Sequence, residues 1–167
     1  MKIALCGYLG SGCTEIAEIL ASKFGLESFN TSKIIGSVKS FEAVSRSGEV
    51  DLDIFVKTRL EEILKGDNVI VEGRSAFMLL DRRDVIKVFL NASLEDRVKH
   101  VASRRGIAVE SARSDVIRSD EERDQLIQRF FNKNCPDVSN YDFAVNTGSK
   151  TFSKMAEVIA NLIETAF

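Results

Sequence analysis

Lys2-Ile3-Ala4-Leu5-Cys6 runs directly into Gly7-Tyr8-Leu9-Gly10-Ser11-Gly12-Cys13-Thr14, after which Ile16, Ile19, Leu20 and Phe24 recur at helical spacing. The order is buried strand, glycine-rich loop, amphipathic helix. Gly7, Gly10 and Gly12 let the backbone close around phosphate oxygens, so that successive amide hydrogens point inward and the helix adds its positive N-terminus. The octet Gly7 to Thr14, with Ser11 inside it, reads as a phosphate-binding loop for ATP. The hydroxyl of Thr14 is placed for a magnesium ion. In this kind of loop a lysine usually precedes the threonine and reaches the outer phosphates. Here that position is Cys13, so phosphoryl transfer needs its cation from elsewhere. A nucleophilic Cys13 lacks a nearby histidine to act as base.

Outward from the loop, Gly25 ends the first helix and an extended piece follows around Glu27 to Asn30. Ile34 to Val44 is read as a helix, Gly48 to Asp51 as a polar turn, and Leu52 to Leu64 as a second amphipathic helix ending at Gly66. Asn68 to Glu72 is the next strand, and Ile86 to Leu90 a third. Leu94 to Arg104 follows as a helix with Ser93 as its N-cap. From Val109 to about Lys133 the chain is charged, with a thin apolar stripe, and reads as an exposed helical arm. Phe143 to Asn146 is a last short strand before a closing helix over Phe152 to Ala166. Alternation of this kind predicts an α/β, three-layer fold with a mainly parallel sheet and helices on both faces, whose ligands bind beyond the carboxyl ends of the strands.

The chain has 167 residues, 44% of them hydrophobic and 29% charged, with a formal net charge of −2. That balance suits one globular domain over 1–167 and offers no broad positive field for a nucleic acid polymer. The amino terminus is too short in apolar residues for a signal peptide core, and no run approaches membrane-spanning length. The expectation is a cytoplasmic protein with no membrane partner, monomeric or weakly dimeric. Cys6, Cys13 and Cys135 form no CxxC pair, and the lone His100 has no neighbour at metal-ligand spacing. Cys6 reads as a buried strand residue and His100 as a helix-surface one.

Chemistry concentrates at the strand ends. Glu72, Gly73 and Arg74 bring both signs of charge to the end of the second long strand. Glu72 is suited to hold a magnesium-bound water, and the planar fork of Arg74 matches phosphate oxygens. Arg97, Arg104, Arg105, Arg118, Arg123 and Arg129 are read together as a cationic cover over ATP.

The glycine loop, Asn68 to Ala76, Ile86 to Gly106 and the segment Tyr141 to Thr147 together resemble the cytidylate kinases, most closely the short archaeal-type branch and its cytidylate kinase-like relatives. The resemblance implies a nucleoside monophosphate kinase with ATP and magnesium as cofactors and small nucleotides as partners, phosphorylating CMP or dCMP. It further implies a P-loop core, an acceptor-binding insertion at about 31–65 and a mobile LID at about 104–136. By it, Arg74 and Gly73 are acceptor-site residues, and Arg104, Arg123 and Arg129 lie near the transferring phosphoryl group. Asp142 then orients the acceptor side. Where the family pattern has an acceptor-binding arginine, this chain has Gly36, with Lys33 the nearest cation. Two alternatives stand beside this reading: a kinase of the same fold for another small acceptor, and a nucleotide-binding protein without transferase activity.

Overall fold

The computed structural model describes residues 1–36, 51–148 and 150–167. Its centre is β1 (Lys2–Gly7), an apolar strand buried on both sides. Because side chains alternate along a strand, Ile3 and Leu5 enter one core layer and Ala4 and Cys6 the other. α1 (Cys13–Phe24) and α6 (Phe152–Ala166) cover the first face with Ile16, Leu20, Ile159 and Ile163. On the second face pack α2 (Thr31–Gly36), α3 (Leu52–Ile63), the 3-10 helix Gly73–Leu79 and the carboxyl half of α5 (Val109–Phe131). α4 (Leu94–Arg105) packs along α5 through Val98, Val101, Ala112 and Val116.

The sheet has five parallel strands in the order β2 (Glu27–Phe29), β3 (Val69–Glu72), β1, β4 (Ile86–Asn91), β5 (Phe143–Asn146). The expected α/β layering is therefore present, with helices on both faces. Register pairs Leu5 with Glu72 across β1 and β3, which sets that carboxylate beside the start of the glycine loop.

Most sequence boundaries hold to within a residue or two. Asp51 and Ser93 cap α3 and α4, accepting from Ile54 N (3.2 Å) and Asp96 N (3.1 Å). β3 starts at Val69 rather than Asn68, because Asn68 takes a left-handed turn at φ 61° that asparagine tolerates. The helix expected over Ile34 to Val44 begins earlier, at Thr31, since Asn30 accepts from Lys33 N (2.9 Å) and caps it. Positions 37–44 lie outside the described residues, as do Gly48 to Val50. The stretch read as an exposed arm differs more. Leu126 and Ile127 of α5 are 2% and 0% exposed and belong to the main core, so its carboxyl half is seated on the sheet rather than held out in solvent. A stripe with two apolar residues per turn is enough to seat a helix when a sheet face lies beneath it.

Candidate active site

The glycine loop joins β1 to α1 and is held in shape by its own backbone and by neighbours from three elements. Gly10 and Gly12 sit at φ 89° and 91°, a region costly for any side chain. A Cβ on Gly10 would lie 2.6 Å from the backbone oxygen of Arg97, and one on Gly12 would strike the Phe152 ring at 2.4 Å. The fully buried Ser11 donates its hydroxyl to the Tyr8 carbonyl (2.8 Å), and Thr147 after β5 donates to the Ser11 carbonyl (2.8 Å). The loop is thus preorganised, and the amides opening α1 have no intrahelical acceptors. These are the donors a phosphate takes.

At its rim, Thr14 donates to Glu72 Oε1 (3.2 Å), and Asn30 Nδ2 donates to the same oxygen (3.1 Å). Glu72 is 5% exposed, and burial raises its carboxyl above the ordinary range, opposed by the bonds from Asn30 and Thr14. No ion pair neutralises it among the described residues. A buried carboxylate with only a hydroxyl and an amide for company fits a magnesium ion. Among the described residues no cluster of three or more His, Cys, Asp or Glu forms a protein cage.

A cavity of about 440 Å³ opens here, lined by Thr14, Glu72, Arg74, Arg104 and Arg123 with Asn30 and Ser119. A smaller recess under the loop brings Arg123 and Arg104 to Gly7, Gly12, Cys13 and Thr14. The arginines differ in how they are held. Arg74 sits on both oxygens of Asp53 (2.9 and 3.2 Å) and reaches Glu122 (3.3 Å), with its side chain 28% exposed, so it lines the cleft while paired. Arg104 reaches Glu15 (3.3 Å), whose other oxygen is buried without a hydrogen-bond partner. Arg123 donates to the Ser119 carbonyl (3.1 Å), and its Nε is buried and unpartnered among the described residues. Burial lowers its pKa from the ordinary arginine value. At Cys13 burial pushes the thiol up to about 12, so no thiolate stands in the loop near neutral pH.

Three expected site residues lie elsewhere. Lys33 turns to the sheet edge, donating to the Ser28 carbonyl (2.6 Å) and resting over the Phe29 ring. Arg129 pairs with Asp51, comes within 3.8 Å of the Asp53 carboxylate that holds Arg74, and lines a neighbouring groove with Gln125, Gln128 and Lys133 rather than the cleft itself. Asp142 precedes β5, where its carboxylate accepts from Lys87 N (2.7 Å), at the amino ends of the strands and so opposite the loop. Two members of the expected cationic cover are also structural. Arg97 is buried against Asp120 (2.7 Å), and Arg118 pairs with Asp115 on the outside of α5. His100 is not a free surface residue: its ring lies 3.0 Å from Glu15 Oε1 and edge-on to Phe152.

Sequence reading missed Tyr8, Asn30, Asp53 and Asp120, which hold the groups it did find. Only Asn30, an N-cap type before a helix, carried a local signal.

The cytidylate kinase-like family model matches residues 45–149, well over half of the chain. The chain belongs to the cytidylate kinase-like family. A cytidylate kinase of Methanopyrus kandleri is 30% identical over 182 residues, covering 97% of this chain and 94% of its own. Among solved structures, an uncharacterized protein from Eubacterium ventriosum superposes at a TM-score of 0.75 with 21% identity, covering 98% of each chain. A shikimate kinase from Bacteroides thetaiotaomicron follows at a TM-score of 0.67 and 16% identity, again over 98% of each chain. The family thus shares its fold with kinases of quite different acceptors. Glu72, Gly73, Arg74, Arg104 and Arg123 all fall inside the span of the family model.

Proposed function

We propose that this protein is a nucleoside monophosphate kinase that transfers the γ-phosphoryl group of ATP to CMP or dCMP. The observation that carries the reading is the single cavity where Thr14 and Glu72 meet four arginines, Arg74, Arg104, Arg105 and Arg123, from three different elements at the mouth of the glycine loop. Phosphoryl transfer asks for alignment and charge neutralisation rather than covalent help from the protein. Loop amides from Gly10 to Thr14 take the donor's phosphates. Thr14 and Glu72 are suited to magnesium, which when bound draws charge from the bridging oxygens. Arg74 is suited to the acceptor's phosphate, exchanging its carboxylate partners for phosphate oxygens of the same geometry. An acceptor phosphate oxygen attacks the γ-phosphorus, the bond to the β-γ bridging oxygen breaks, and ADP leaves. Arg123 and Arg104 stand on the donor side of that displacement, where Cys13 leaves the loop without its own cation.

The relatedness to cytidylate kinases at 30% identity supports cytosine as the acceptor base. A coupled ADP-release assay with CMP, dCMP, UMP and AMP tests this, with turnover expected for the cytidine nucleotides. Absence of ADP with every monophosphate, in protein shown to bind ATP, would refute the transferase reading. The engagement of Lys33 at the sheet edge favours a second reading, a kinase for an acceptor other than a nucleotide. It would show as ATP turnover with a non-nucleotide acceptor and none with CMP. Cys13→Lys separates the third: an active site served by Arg123 gains nothing from a loop lysine, whereas a dormant one gains turnover.

A further inference from the structure

A lysine inside a phosphate loop is placed by the loop's own backbone. An arginine arriving from another helix has to be registered to the loop by something else. In this protein α5 is fastened to the glycine loop at two points one helical turn apart. Asp120 holds the buried Arg97 through both guanidinium ends (2.8 and 2.7 Å), and Arg97 also donates to the Leu9 carbonyl (3.2 Å) while its own carbonyl backs onto Gly10. Asp124 accepts directly from the phenol of Tyr8 (2.8 Å). Among the described residues this is the sole side-chain hydrogen bond between the loop and α5. Arg123 lies between the two anchors and reaches the recess that contains Cys13, the position left without a lysine.

We infer that Tyr8 and Asp124 are positioning residues: their hydrogen bond sets where α5 presents Arg123 to the terminal phosphate of the donor. The inference rests on the kinase reading above for the identity of that phosphate. Tyr8 is well suited to the task. Its ring is fixed between the Arg97 guanidinium (5.2 Å to the centroid) and the edge of Phe89 (6.1 Å), and Phe89 is stacked on Tyr141 at 4.7 Å. Burial raises its phenol pKa, so it remains a donor throughout the neutral range. The carboxylate of Asp124 lies at the protein surface, so the bond is spent on orientation more than on holding the core together. Arg123 itself has an unpartnered buried Nε, a donor that a phosphate oxygen would satisfy.

The test compares binding of the β,γ-imido analogue of ATP with that of ADP by titration calorimetry, in the presence of magnesium. The full-length protein is expected to bind the triphosphate more tightly than ADP by roughly tenfold, the size of one charge-assisted hydrogen bond. Arg123→Ala removes that ratio. Tyr8→Phe, which keeps the ring, and Asp124→Leu, which keeps the shape but offers no acceptor, reduce it severalfold, and Tyr8→Phe lowers it no further in the Arg123→Ala background. A role confined to stability would move the melting temperature and leave the ratio alone. An unchanged ratio in both single variants, or an equal further loss in the Arg123→Ala background, overturns the inference. The measurement does not depend on turnover. If the ratio behaves as stated and no monophosphate is phosphorylated, the kinase reading fails and the positioning role stands. If CMP turns over and Tyr8→Phe changes neither kcat nor the ratio, the positioning role fails and the kinase reading stands.

Discussion

Removing Asp120 should cost far more than removing its geometric twin at Glu95. Both carboxylates hold an arginine at two points: Asp120 grips Arg97 at 2.8 and 2.7 Å, and Glu95 grips Arg113 at 2.8 and 2.6 Å. Burial separates them. Side-chain exposure is 7% and 21% for Arg97 and Asp120, against 38% and 60% for Arg113 and Glu95. Asp120→Ala strands a buried guanidinium, which typically costs about 3–5 kcal/mol. Arg97 keeps its bonds to the Leu9 and Ala92 carbonyls, and water reaches the Asp120 side, so about 2–3 kcal/mol is expected. For a chain of this size that is a fall in melting temperature of about 4–12 °C. Glu95→Ala should leave the melting curve within experimental error, because exposed ion pairs are screened and pay side-chain entropy. Paired calorimetric or urea melts of the two variants provide the measurement, with Arg97→Met/Asp120→Leu as the control expected to recover most of the loss while weakening ATP binding. Equal melting temperatures for Asp120→Ala and Glu95→Ala would refute the claim that burial, not geometry, decides the strength of these pairs.

Gly10→Ala should lose roughly 2–6 kcal/mol by thermal melting, since its Cβ meets the fixed backbone of Arg97 at 2.6 Å and its φ of 89° strains any side chain. Gly25→Ala, with nothing within 4 Å of its Cβ at φ 64°, should lose only about 1–2 kcal/mol. Glu72 binds its proton more tightly folded than unfolded. Stability of the unliganded protein should therefore fall as pH rises from the ordinary glutamate value of about 4.3 to the raised folded one, and stay level beyond. Glu72→Gln should remove that slope in pH-dependent melts, and magnesium-nucleotide affinity of the parent should rise across the same window. Arg74→Lys, which cannot bridge two oxygens, should lower kcat/KM for the acceptor roughly 10- to 100-fold in steady-state assays with the KM for ATP little changed. An equal rise in the KM for ATP would move Arg74 to the donor side.

What could be read from the chain alone was whatever depends on neighbours in sequence. The glycine loop, the apolar runs at Ile3, Val69 and Val88, and the caps at Ser93 and Gly25 announce themselves because positive φ, continuous burial and orphan amides each demand particular residue types locally. Glu72, Gly73 and Arg74 were legible as charge gathered at a strand end, and they line the cleft. The arginines could not be sorted in the same way. Whether Arg97, Arg118, Arg123 or Arg129 faces the loop depends on the rotation of α4 and α5. That rotation is set by Val98, Val116, Leu126 and Ile127 finding their places in the two cores. Asp142 stands at the wrong end because strand direction, not residue type, decides which end of β5 meets the loop. Thr14 and Glu72 are 58 positions apart. They meet because β3 lies beside β1 in parallel register, with Leu5 opposite Glu72. The chain's local chemistry thus determined a glycine loop of the phosphate-binding type and where it lies, between the first strand and the first helix. Only the packing of the helices on the sheet decided which charges surround it, since long charged side chains acquire a partner only from the element that happens to face them.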